Sequence, residues 1–121
     1  MLKGFVNSFG EPVIEIIVLS SDEQANPIEG IIDTGFNGYI SLPQEIIRGL
    51  SWIFVGTEEY ELANGEIVEE EIYLGKVVFD HEPKYVIGLS NRSTDLLIGT
   101  KLLKNKILTI DFKNNEVTVE K

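Results

Sequence analysis

The stretch Ile31-Ile32-Asp33-Thr34-Gly35 constrains this chain more than any other. Two β-branched apolar residues run straight into an Asp-Thr-Gly turn, so an acid stands where a buried strand opens into a loop. A carboxylate placed there is held by rigid backbone and still reaches solvent. The triplet occurs once in 121 residues, because Asp22, Asp80, Asp95 and Asp111 are not followed by Thr-Gly or Ser-Gly.

The segments around it read mainly as short strands. Pro12 to Leu19 is rich in β-branched residues, Ser20 to Pro27 is a polar turn, and Ile28 to Thr34 returns as a strand. Asn37-Gly38 marks a turn, and Tyr39 to Leu42 is a short apolar exit. Pro43 to Arg48 has Pro at a helix start and a carboxylate in its first turn, with Gly49 placed to end it. Glu59 to Ala63 and Glu66 to Leu74 flank Asn64-Gly65, a dipeptide suited to a tight hairpin. The acidic middle of its second arm predicts that this hairpin stands partly away from the core. Lys76 to Phe79 and Lys84 to Ile87 read as two further strands. Asp95 to Ile98 runs into Gly99 and a helical turn over Thr100 to Lys104. Ile107 to Phe112 and Glu116 to Val119 close the chain as a hairpin across Lys113-Asn114-Asn115. A faint repeat links Ile31-Ile32-Asp33-Thr34-Gly35 with Leu97-Ile98-Gly99: both are apolar strands meeting glycine before a helical turn.

Composition narrows the function classes. A chain of this length with 43% hydrophobic residues builds one domain, 1–121, with a real core. The net charge of -10 argues against nucleic acid, which needs a basic patch. Its acids cluster at Glu58-Glu59 and Glu69-Glu70-Glu71, reading first as a solvated face and second as a preference for basic partners. No apolar run is long enough to span a membrane, and the start Met1-Leu2-Lys3-Gly4-Phe5 lacks a secretion-signal pattern, so a cytoplasmic location is expected. The absence of cysteine excludes disulfides, thiolate metal sites and a cysteine nucleophile. His81 is the lone histidine, and Asp80-His81-Glu82 lacks metal-ligand spacing, so a solvated turn is expected there and no cofactor or metal. No nucleophile-elbow pattern or phosphate-binding glycine loop is present, Asn91-Arg92-Ser93 reads as a polar loop, and Trp52 reads as core.

Asp33-Thr34-Gly35 suits one chemistry well. Peptide hydrolysis by carboxylates uses two of them sharing a proton, because like charges a few ångströms apart do not both ionise. A following Thr holds the loop by hydrogen bonding, and a following Gly lets backbone approach closely. Taken alone the tripeptide is a common surface turn, with the acid bonded to a nearby N–H. Four neighbours weigh against that: Ile31-Ile32 before it, Tyr39 to Pro43 and a helix after it, the Asn64-Gly65 hairpin, and Leu97-Ile98-Gly99.

With these residues in place, the chain resembles the retropepsin-like aspartic peptidases, the family of the retroviral proteases, and looks most like the small prokaryotic members. The resemblance covers nearly the whole chain. It implies an all-β, closed-barrel acid-protease fold with one or two short helices, and a homodimer whose active site lies on the two-fold axis. It further implies Asp33 as the catalytic acid, Thr34 locking two loops together, and Gly35 meeting the substrate backbone. Phe36 and Asn37 would border the substrate, and Ala63-Asn64-Gly65 would form the tip of a flap closing over an extended peptide. Leu97-Ile98-Gly99 would stand behind the catalytic loop. Retroviral members follow the triplet with a small residue and an Asp, and place a pairing Arg after the later glycine. Here Phe36, Asn37 and Thr100 stand in those places, so both charges of the pair are absent together and neither is left unpaired.

The leading expectation is a homodimeric aspartic endopeptidase, each subunit giving one Asp33. The alternative is a peptide- or protein-binding module of the same fold with little or no activity, motivated by Phe36 and the acidic hairpin. A third reading leaves Asp33 as a turn residue only.

Overall fold

The computed structural model describes residues 1–121 and contains ten strands and two short helices. In chain order they are β1 (Leu2–Val6), β2 (Pro12–Leu19), β3 (Ala25–Ile32), β4 (Ile40–Pro43), α1 (Gln44–Leu50), β5 (Ile53–Glu61) and β6 (Ile67–Phe79). Then come β7 (Glu82–Asn91), β8 (Leu96–Ile98), α2 (Thr100–Leu103), β9 (Ile107–Asp111) and β10 (Glu116–Glu120).

The strands form one sheet that closes on itself. The order β5-β6-β7-β4-β8-β3-β2-β1-β10-β9, with a further β6–β2 pairing, makes β2, β3, β8, β4, β7 and β6 a six-stranded barrel. Closure gives each of these six strands a partner on both sides along part of its length. Burial alternates along β2 and β6, as the pleat requires. Ile14, Ile16 and Val18 of β2 are buried at every second residue, and Val77 and Phe79 of β6 repeat the pattern. Ile40, Leu42, Ile98, Leu102, Val117 and Val119 belong to the same core.

Glycine sets two close approaches. Trp52 is 8% exposed and donates from Nε1 to the Leu19 carbonyl at 2.7 Å. Its ring lies against Gly75 and Gly88, and a Cβ at Gly75 would collide with it. Gly75 therefore packs within β6, and Lys76 to Phe79 is the second half of one long strand rather than a strand of its own.

Other boundaries shift for local reasons. Ala25 to Pro27 extend β3 to meet β2, with Pro27 opposite Ile17. Only Gly30 to Ile32 of β3 pair with β8, so Pro27 lies on a free edge where its missing N–H costs nothing. Gly49 falls inside α1, and the helix ends at Ser51 in the left-handed conformation, φ 55°. The polar β6–β7 turn conceals Asp80, whose side chain is 3% exposed. Its Oδ2 accepts from Lys106 Nζ at 3.0 Å, and its Oδ1 lies 3.1 Å from the Met1 amine. His81 is exposed, as expected of a turn residue.

Candidate active site

Asp33 is placed by two parallel strands. Ile31 and Ile32 of β3 pair with Leu97 and Ile98 of β8, so the faint repeat in the sequence is a pair of strands side by side. The Asp33 amide continues this ladder, donating to the Ile98 carbonyl at 2.9 Å. Beyond it the chain turns away: the Phe36 amide donates to the Asp33 carbonyl at 3.1 Å, and the Gly35 amide donates to Asp33 Oδ1 at 2.9 Å. The carboxylate is thus partly exposed, with one oxygen fixed by its own turn.

The far side of the loop is tied to the start of α2. Thr100 N donates to the Phe36 carbonyl at 2.9 Å, and Lys101 N to the Gly38 carbonyl at 3.1 Å. Gly99 N donates to the Tyr39 carbonyl at 3.0 Å. A Cβ on Gly99 would strike the Gly38 carbonyl, so only glycine admits this approach. The Phe36 ring lies over Gly38 and Gly99. Thr34 is exposed and makes no side-chain hydrogen bond within the chain.

Two open cavities flank the loop. One, of about 410 Å³, is bordered by Asp33, Thr34, Pro12, Leu97 and Phe112. The other, of about 520 Å³, runs from Gly35, Phe36 and Asn37 to Ile87 and Leu89 of β7 and to Glu58 and Tyr60 of β5. The hairpin β5–β6 therefore overhangs the loop through Glu58 and Tyr60. Its tip, Ala63-Asn64-Gly65, is exposed and does not border that cavity. The tip is a three-residue turn: Gly65 N donates to the Leu62 carbonyl at 2.8 Å, and Gly65 takes φ 83°. Gly65 thus supplies the left-handed residue after a type I turn, in place of a two-residue turn centred on Asn64-Gly65.

Sequence reasoning missed Glu58, Tyr60, Ile87 and Leu89, which lie far from the triplet and carry no motif. Strand alternation from the Asn64-Gly65 turn would have put Glu58 and Tyr60 on one face. The Tyr60 hydroxyl donates to Glu58 Oε2 at 2.5 Å. Burial, then that bond and the neighbouring carboxylates, hold the Tyr60 hydroxyl well above its ordinary pKa, so it keeps its proton. No group of three or more His, Asp or Glu side chains is placed to hold a metal ion.

No family model and no curated protein matches the sequence. Among solved structures, the chain is similar to a retropepsin-like aspartic protease from Rickettsia conorii. The two superpose with a TM-score of 0.70 over 97% of this chain and 87% of that one, at 23% identity. This chain has the retropepsin-like fold. The likeness of fold covers the closed six-stranded barrel and the two short helices. No helix is long and apolar enough to cross a membrane.

Proposed function

We propose that this chain is a single-domain aspartic endopeptidase that works as a homodimer in the cytoplasm, needing no cofactor. The observation that carries the reading is Asp33, partly exposed at the end of β3 and locked to Ile98, in a fold shared with an aspartic protease. The chain holds one Asp-Thr-Gly, so the second carboxylate comes from a second copy.

In the shared site one Asp33 is ionised and its partner copy's is protonated, because charge repulsion separates their proton affinities. The ionised carboxylate takes a proton from water as the water oxygen attacks the peptide carbonyl carbon. The protonated one donates to the carbonyl oxygen. The C–N bond then breaks and the amine leaves with a proton returned from the dyad. Thr34, exposed and free in one chain, holds the two loops together across the dimer. The substrate lies extended between Gly35-Phe36-Asn37 and the β5–β6 hairpin. That hairpin acts as the flap, with Ala63-Asn64-Gly65 at its tip, and the backbone adds as a strand.

Phe36 favours a second reading, a binding module that holds a peptide without cutting it, since its ring covers Gly38 and Gly99 beside the loop. A statine peptide separates the two, because a site shaped for the tetrahedral intermediate binds it far more tightly than a scaffold does. Digestion of a peptide library by wild type beside Asp33→Asn tests the main reading. Cleavage confined to wild type supports it, and equal cleavage by both overturns it.

A further inference from the structure

The β5–β6 hairpin carries Glu58, Glu59, Glu61, Glu66, Glu69, Glu70 and Glu71, and no Lys or Arg occurs between Gly49 and Gly75. Its register sets Glu58 opposite Glu70 and Glu59 opposite Glu69. Like charges directly across a strand pair repel. None of these carboxylates is in an ion pair, since the five pairs of the chain engage Asp80, Glu23 and Glu82.

A second observation lies behind the hairpin. A cavity of about 720 Å³ is bordered by Glu69, Glu70 and Glu71, by Arg92 and by Ser90. Ser90 is 3% exposed, and its Oγ has no hydrogen-bond partner. A buried hydroxyl without a partner is a cost the fold retains. Strand alternation turns Glu69 and Glu71 to the opposite side of the hairpin from Glu58 and Tyr60, and this cavity shares no bordering residue with either cavity that flanks the Asp33 loop.

We propose that this cavity binds an arginine side chain of a polypeptide, with Glu69 and Glu71 taking the guanidinium and Ser90 Oγ accepting one of its N–H groups. The carboxylates do not converge on a point as a metal would require. A guanidinium spreads five donors over a plane and suits acceptors set apart. Arg92 is the single base on the wall, so Glu66, Glu69, Glu70 and Glu71 leave a surplus of negative charge for one incoming cation. The volume lies in the range of about 300–1,000 Å³ usual for ligand sites, with room for backbone beside the side chain. A segment bound here is held outside the Asp33 cleft, whatever chemistry that cleft performs.

The test uses the full chain carrying Asp33→Asn, so that binding is read without cleavage. Calorimetry and backbone amide NMR compare an Ala-Gly-Arg-Gly-Ala peptide with its citrulline counterpart and with agmatine. The arginine peptide is expected to bind about tenfold or more tighter than the citrulline peptide, which keeps the shape and loses the charge. Amide shifts are expected at Ser90 and Glu69 to Glu71, and both Ser90→Ala and the exposed Glu71→Gln weaken binding. Equal affinity for the two peptides, or shifts centred on Asp33, overturns the proposal. Agmatine binding as tightly as the peptide overturns its polypeptide part and leaves a site for small guanidinium compounds. Loss of peptidase activity in wild type bears on Asp33 alone and leaves this result standing.

Discussion

The amide of Asp33 donates to the carbonyl of Ile98 at 2.9 Å, so the candidate acid is the last rung of the β3–β8 ladder. The position of the carboxylate is therefore only as firm as the contact between its loop and the strand end behind it. Gly99, next to Ile98, is where that contact is tightest. Gly99→Ala pushes a methyl into the Gly38 carbonyl and under the Phe36 ring. Overpacking of this kind costs about 1–3 kcal/mol. Thermal unfolding of Gly99→Ala is expected to show that loss, and any peptidase activity is expected to fall further than the lost stability explains, because the loop itself is displaced.

The Asp80–Lys106 pair predicts acid sensitivity. Hydrogen bonds from Lys106 and then from the Met1 amine hold Asp80 below the usual carboxylate range, and Lys121 and Lys106 do the same for Glu82. A carboxylate whose folded pKa lies below its unfolded one stabilises the fold at pH above the unfolded value. That stability is lost as pH falls through the folded value, here from about pH 4 downward. Chemical denaturation across that range checks it. Lys106→Met leaves the buried Asp80 with the Met1 amine as its one remaining cation, and is expected to lower the melting temperature by more than Lys106→Met combined with Asp80→Leu.

The β5–β6 hairpin behaves the other way. Burial raises the Glu70 pKa. The folded hairpin then holds that proton more readily than the unfolded chain does. Its stability is fullest below the unfolded value near 4.3 and declines as pH rises through Glu70's raised value. Hydrogen exchange, corrected for its intrinsic pH dependence, is expected to show Thr57 to Glu71 better protected at pH 5 than at pH 7. Glu59→Lys, which turns the pair with Glu69 from repulsive to attractive, is expected to add about 0.2–1 kcal/mol to the hairpin.

The proposed dimer carries its own signature. Two chains each at -10 repel, so added salt and mild acid both favour association. Sedimentation at pH 5 and pH 7, with and without added salt, is expected to show the tighter dimer at low pH and at high salt. A dimer constant indifferent to both contradicts this.

The sequence was most legible where local signals agreed. Pro12 to Leu19 is rich in β-branched residues and is β2 residue for residue, and the Ile31-Ile32 and Leu97-Ile98 repeat is a real strand pair. Legibility failed where one residue's meaning depended on a distant partner. Gly75 reads as a break, yet it is the flat place on which Trp52 rests. Asp80 reads as a turn acid, yet Lys106, 26 residues away, draws it inside. Leu2–Val6 carries no alternation strong enough to mark a strand and becomes β1 by pairing with β10 and β2. Around the candidate site the triplet was visible from its own residues. Glu58 and Tyr60 were not, because their place beside Gly35 and Phe36 comes from how the hairpin folds over the barrel.

The central claim is that two Asp33 carboxylates, one from each chain, form one site. Mixing wild type with Asp33→Asn tests it most directly. Wild-type protein is held constant above the dimer constant and a ninefold excess of the variant is equilibrated with it. A shared dyad predicts that peptidase activity falls about tenfold by mass action, because nearly every wild-type chain is then paired with a variant chain. Activity unchanged by the variant would show that each chain carries a complete site and would contradict the account.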